Sequence, residues 1–250
     1  MILKLLSYNI RYGGEGREQF LISVIREASP DIVVFQEAVR TQVIERLARG
    51  TDMTVWGSRP GFSLGFMSKL DISDYQWHQP RGARHSFLEI VLPGTDFRIF
   101  GVHLSAIHSK WTEQRRIREI RALLAGIESH QEGFHVLVGD FNTLAPGEIL
   151  NVRLLPPRLR PLVWLSGRIQ WETIKVLLNT RYVDGYRTLR PVESGFTFPT
   201  WSPHLRLDYI FVPKVFADRL KACQVINGST PAMQASDHFP LLAEIDVPET

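Results

Sequence analysis

Short apolar runs of strand length recur along this chain from its first residues to its last, with amphipathic stretches of helical period between several of them. Each run has to bury an apolar face against another layer, so the pattern restricts the chain to sheets with helices packed on them. Strands are expected over 2–6, 32–35, 64–68, 86–92, 97–102 and 135–138, near 53–56, and again over 196–198, 207–212, 222–226 and 241–245. Helical spacing is read over 18–28, 43–49 and most clearly 113–128, where Thr112 is the expected N-cap. There Ile117, Ile120, Leu123, Leu124 and Ile127 form one face, with arginines opposite. This content predicts an α/β sandwich of two stacked sheets with helices outside. No polar, Gly-rich or Pro-rich stretch is long enough to act as a linker between domains, so residues 1–250 are read as one domain.

The segment 144–182 breaks the rhythm. Pro156, Pro157 and Pro161 prevent one continuous helix, which predicts an insertion of two short helices, a flap beside the preceding motif. Its basic residues near Trp164 and Trp171 suit nucleic acid or a membrane surface. The plainer expectation is that both tryptophans pack against the sandwich.

Composition excludes several classes. One cysteine, Cys223, rules out an internal disulfide and a Cys-rich zinc site, and its apolar surroundings predict a buried thiol. A reducing, cytoplasmic setting is therefore expected. The chain opens on a strand-like run rather than a secretory signal, and nothing approaches the roughly 20 apolar residues of a membrane span. A net charge of +3 permits nucleic acid without diagnosing it.

The chemistry-bearing residues cluster where the expected strands end. Asp140 and Asn142, in Gly139-Asp140-Phe141-Asn142, would emerge together on one side of a strand end. Such a pair can bind a metal or hold a water and a phosphate oxygen, although Asp-x-Asn alone is also an ordinary turn. Glu37 ends the 32–35 run, where a charge needs solvent, a partner or a cation, and Asn9 ends the first strand. Asp237 and His238 precede the last strand. Neighbours on a strand point to opposite faces, so Asp208, from Leu207-Asp208-Tyr209, is the better candidate to orient the His238 ring. His103 is a second candidate imidazole, or else a hydrogen-bonded core histidine. His78, His85, His108, His130, His135 and His204 have no comparable context.

Taken in order, Ser7-Tyr8-Asn9, Gln36-Glu37, Val102-His103-Leu104, Gly139-Asp140-Phe141-Asn142, Leu207-Asp208-Tyr209 and Ser236-Asp237-His238 resemble the motifs of the endonuclease/exonuclease/phosphatase superfamily. The resemblance implies a four-layered α/β sandwich of two mostly antiparallel sheets flanked by helices, with the site at one mouth. It implies a metal-dependent phosphoric ester hydrolase, foremost a phosphodiesterase or nuclease, using Mg2+ with Mn2+ as substitute. Glu37 would be the principal metal ligand, with Asn9 and Asp237 completing the site. Asp140 and Asn142 would position the attacking water, and His238 with Asp208 would act as general base or stabilising imidazolium. His103 would bind phosphate.

Asn9-Ile10-Arg11 is similar to the deoxyribonuclease I branch, where an arginine at that place faces nucleic acid. Asp184-Gly185-Tyr186-Arg187 with Gly195-Phe196-Thr197-Phe198 is similar to abasic-site endonucleases. The His-Leu-Ser strand end is similar to the tyrosyl-DNA phosphodiesterase, phosphatase and sphingomyelinase branches. Nucleic acid is therefore the expected partner, with a phosphatase or a phospholipase of lipid head groups as the alternative. A non-catalytic phosphate-binding domain is the further one.

Overall fold

The structure is a computed structural model that describes residues 1–155, 157–158, 160–165 and 171–248. Within the expected insertion, positions 156, 159 and 166–170 lie outside the described residues, as do 249 and 250 at the end of the expected domain.

In chain order the elements are β1 (Ile2–Asn9), α1 (Glu18–Ala28), β2 (Ile32–Gln36), α2 (Thr41–Gly50), β3 (Val55–Ser58), β4 (Gly65–Ser68), β5 (Asp74–His78), β6 (Phe87–Val91), β7 (Arg98–His103), α3 (Lys110–Gly126) and β8 (His135–Asp140). There follow α4 (Arg160–Leu165), α5 (Thr173–Leu178), β9 (Tyr182–Asp184), α6 (Gly185–Leu189), β10 (Asp208–Pro213), β11 (Leu220–Val225), α7 (Thr230–Ala235) and β12 (Leu241–Asp246).

Two six-stranded sheets form, ordered β11-β12-β1-β2-β4-β3 and β5-β6-β7-β8-β10-β9. Only β1–β2 and β7–β8 pair in parallel among these strands. The inner faces of both sheets meet in one apolar layer that includes Leu5, Val34, Ile90, Ile99, Val138 and Ile210. The outer face of the first sheet packs on α1, α2 and α7 through Leu21, Ile25, Ile44, Leu47 and Ala232. That of the second packs on α3 and α5 through Phe100, Leu137, Phe211, Ile120 and Ile174. The result is the four-layered α/β sandwich, with apolar residues on both faces of the central strands because each sheet is covered twice.

Several elements depart from the sequence expectation. The N-cap of α3 is Ser109, not Thr112; Thr112 lies three residues on and closes a reciprocal capping box with it. Of the arginines expected to face solvent from α3, Arg116 is fully buried. The 196–198 run makes only an isolated bridge, Phe198 to Leu205. β5 was unexpected because its Asp-Tyr-Gln-Trp-His sequence lies at a sheet edge and exposes most of its residues. In the 144–182 segment Trp171 packs beside Leu144, Leu205 and Leu207, whereas Trp164 on α4 is 80% exposed, so the expectation that both tryptophans pack holds for one. Cys223 is buried, and burial pushes its thiol pKa up. No helix among the described residues is long and apolar enough to cross a membrane.

Candidate active site

The strand ends converge because the register aligns them. His103 pairs with Asp140, and Asp140 with Asp208, so three neighbouring strands carry these residues on one rung of the second sheet and on one face. In the first sheet Asn9 pairs with Gln36, which brings Glu37 to the same end. The backbones of β7 and β8 approach closely beside the motif: a Cβ on Gly139 would overlap the Val102 carbonyl oxygen, and the residue sits at φ 146°. Left-handed backbone also occurs at Arg11, Tyr12, Glu37 and Asn142, all at this mouth. Such conformations persist in non-glycine residues only where surrounding contacts overdetermine them.

Two hydrogen-bonded groups adjoin each other. In the first, Asn9 Nδ2 lies 3.0 Å from Asp140 Oδ2 and 3.3 Å from Glu37 Oε1. Glu37 Oε2 accepts from the Tyr12 amide at 2.6 Å, and Asn9 Oδ1 accepts from the Arg11 amide at 2.9 Å. The Arg11 guanidinium lies 3.3 Å from Asp237. In the second, His238 Nδ1 is 2.8 Å from Asp208 Oδ2, and His238 Nε2 is 3.8 Å from Asp140 Oδ2. Asn142 donates its amide to Asp140 Oδ1 at 2.8 Å and its carboxamide to Leu104 O at 3.0 Å.

An imidazole between two buried carboxylates is driven towards the cation. Burial disfavours its charge, but Asp208 and then Asp140 outweigh that and raise the His238 pKa well above the ordinary value. Burial pushes the Asp140 pKa upward, His238 opposes the shift and Asp208 adds to it. His103 behaves in the opposite way. Burial, with His85 and His238 nearby, lowers its pKa to about 3, so the ring is neutral at pH 7. Its Nδ1 is buried without a hydrogen-bond partner, and the ring stacks on His85 at 5.6 Å.

Ligand atoms of Asp140, Asp208 and His238 all lie within 4.8 Å of one another, a group that could hold a metal ion. The Asn9, Glu37 and Asp237 oxygens are the harder donor set, of the kind magnesium prefers.

Other residues shape the mouth without having been singled out in the sequence. Ser236 Oγ donates to Asn9 O at 2.6 Å, and Thr200 Oγ1 donates to Ser236 O at 3.0 Å. Arg17 donates to the Ile10, Arg11 and Ala235 carbonyls, tying the loop after β1 to the end of α7. Phe198 packs on the His238 ring at 4.8 Å. Ser236 lies inside the Ser236-Asp237-His238 motif, where it was given no role of its own; Arg17 and His85 carry no local signal.

No curated protein sequence matches the chain. Solved structures match over nearly its full length. A 3′ phosphatase, NExo, from Neisseria, bound to a product DNA hairpin, is 20% identical with a TM-score of 0.73, covering 98% of this chain and 99% of that one. An AP endonuclease from Archaeoglobus fulgidus is 19% identical with a TM-score of 0.72, covering 98% and 100%. A humanized D. rerio TDP2 is 16% identical with a TM-score of 0.67, covering 97% and 98%. At these identities the likeness is one of fold. The family model described as Endonuclease/Exonuclease/phosphatase family matches residues 6–238, and with the sandwich and its strand-end site in place, the chain belongs to that family of phosphoester hydrolases.

Proposed function

We propose that this chain is a magnesium-assisted phosphodiesterase acting on nucleic acid, as one domain in which 144–182 is an insertion beside the mouth. The observation that carries the reading is His238 held between Asp208 and Asp140, with Asn9 and Glu37 bonded to the same cluster. Nucleic acid is favoured by the DNA hairpin in the NExo structure, by the AP endonuclease likeness, and by Arg11, 44% exposed at the mouth.

Glu37, with Asn9 and Asp237, would hold the divalent cation, for which Mn2+ can substitute. Bound there, the cation supplies neutralisation of charge developing on the phosphate and leaving oxygen. The remaining chemistry belongs to the side chains. Asp140 and Asn142 orient the attacking water, and the Asp140 carboxylate takes its proton as the new P–O bond forms. His238 acts as the imidazolium rather than as the base: Asp208 fixes the ring, and its Nε2–H faces the charge that builds on the phosphoryl oxygens. Neutral His103 donates one hydrogen bond to a phosphate oxygen, and Arg11 contacts the nucleic acid backbone. The phosphorus-to-leaving-oxygen bond then breaks, the leaving oxygen takes a proton from solvent water, and Asp140 returns its proton to solvent, so the products are a phosphomonoester and an alcohol.

The test is hydrolysis of bis-p-nitrophenyl phosphate and of single-stranded, double-stranded and abasic DNA under a magnesium titration. Metal-dependent cleavage of a diester is expected. Turnover of monoesters alone would contradict the diester assignment.

A further inference from the structure

The first three turns of α3 carry an unusual inward stripe. Glu113, Arg116 and Glu119 recur at three-residue spacing and are 1%, 0% and 3% exposed, whereas the same helix continues with apolar Ile120 and Leu123. One carboxylate gathers most of the contacts. Glu113 Oε2 accepts from Arg116 Nε at 3.1 Å, Arg116 Nη2 at 2.9 Å and Thr143 Oγ1 at 2.8 Å. Glu113 Oε1 accepts from the Glu172 amide at 2.9 Å, the Thr173 amide at 2.8 Å and Thr173 Oγ1 at 2.7 Å. Thr143 and Thr173 stand at the two roots of the 144–172 segment, and Thr143 directly follows Asn142.

Arg116 and Glu119 extend the network to the other side of the mouth. Arg116 Nη1 donates to Ser105 O at 2.8 Å and Ile107 O at 3.0 Å, while Ser105 bonds Glu119 through both its amide and its hydroxyl. The adjoining Leu104 carbonyl is the acceptor that holds the Asn142 carboxamide. Burial alone would raise the Glu113 pKa, but Arg116 and the Thr173 hydrogen bonds outweigh it and hold the carboxyl below its ordinary range. A buried ion pair seldom stabilises a fold more than apolar residues of the same volume would. Here the buried charges lie at the end of α3 next to the loops that carry the candidate site, and they bond those loops directly.

We propose that Glu113, locked by Arg116, is a positioning residue: it sets Asn142 and the 104–107 loop in register with each other and fastens both roots of the 144–172 segment to them. The inference rests on the reading of Asn142 as a holder of the attacking water. It assigns a role to charged residues that share the inward face of α3 with Ile117, Ile120 and Leu123.

The test uses the full chain with Glu113→Gln, Thr143→Val and Thr143→Ser, assayed on bis-p-nitrophenyl phosphate, with hydrogen exchange followed by mass spectrometry. Glu113→Gln should lower kcat about 10²-fold with KM nearly unchanged, the signature of misplacement rather than lost binding. Thr143→Val should lower kcat by about tenfold, and Thr143→Ser, which keeps the hydroxyl, should restore it. Amides in 104–108, 142–143 and 171–174 should exchange faster in Glu113→Gln. Folded variants with wild-type kcat, or a Thr143→Ser variant as impaired as Thr143→Val, would overturn the inference. If Glu113→Gln does not fold, the Thr143 pair decides. If the wild type hydrolyses no diester, the functional reading fails by itself. The clasp is then judged by exchange, and unchanged rates at 104–108 and 142–143 in the variants overturn it.

Discussion

In the proposed mechanism single residues around His238 divide the chemistry. Its Nδ1 is spent on Asp208 at 2.8 Å, so the ring cannot rotate, and its Nε2 is left facing Asp140 and the mouth. Asp208→Asn would keep the shape and remove the charge that sustains the imidazolium. We expect kcat to fall about 10²- to 10⁴-fold with little change in KM, measured by steady-state hydrolysis of bis-p-nitrophenyl phosphate. Unchanged kcat would remove Asp208 from the site. Two other histidines each favour a loss of stability in acid. Burial, His85 and His238 lower the His103 pKa to about 3. Burial, Arg116 and His204 lower that of His108 to about 4, against a smaller raising effect of Glu113. Their unfolded value is about 6.5, so below that pH the unfolded chain takes up protons that the folded chain refuses. The stability they contribute is whole above about pH 6.5 and is lost as pH falls towards their folded values. Between pH 7 and about 4.5 the thermal midpoint of His108→Gln should therefore be less sensitive to acid than that of the wild type; an unchanged slope would contradict this.

At the scale of elements, α3 joins the core to the mouth, and its start is held by the reciprocal Ser109–Thr112 box. Ser109→Ala should cost about 1 kcal/mol, which lowers the melting temperature by roughly 2–4 °C for a chain of this size, with kcat unchanged. Calorimetry checks the loss of stability, and initial rates check the activity. The helix also marks where sequence reasoning stops. Its apolar spacing at Ile117, Ile120 and Leu123 is local, so the element was legible. The network around Arg116 was not, because its partners Ser105 and Ile107 lie in the loop before α3, and Thr143 and Thr173, which bond its carboxylate partner Glu113, come from distant parts of the chain. β9 and α6 escaped for a similar reason: the strand has three residues and the helix five, too few to display a period. The candidate site residues were legible as strand-end polar groups, yet the rung that joins His103, Asp140 and Asp208 depends on a strand order that periodicity does not contain.

For the whole molecule, the two sheets do more than enclose a core. Each brings its own strand ends to one mouth: Asn9 and Glu37 come from the first sheet, Asp140, Asp208 and His103 from the second. Asp237 and His238 arrive on the loop that leads into β12, so the site needs both sheets stacked in one relation. A cooperative loss of structure should therefore remove activity at the same midpoint. The central claim is that a divalent cation held by Glu37 assists attack on a phosphodiester at this mouth. Its most direct test is the initial rate of bis-p-nitrophenyl phosphate hydrolysis against magnesium concentration, for the wild type, for Glu37→Ala and for the wild type with excess chelator. The wild-type rate should rise to saturation with magnesium, chelation should abolish it, and Glu37→Ala should lower it at least about 10²-fold at any magnesium concentration. Hydrolysis that survives both Glu37→Ala and chelation would contradict the account.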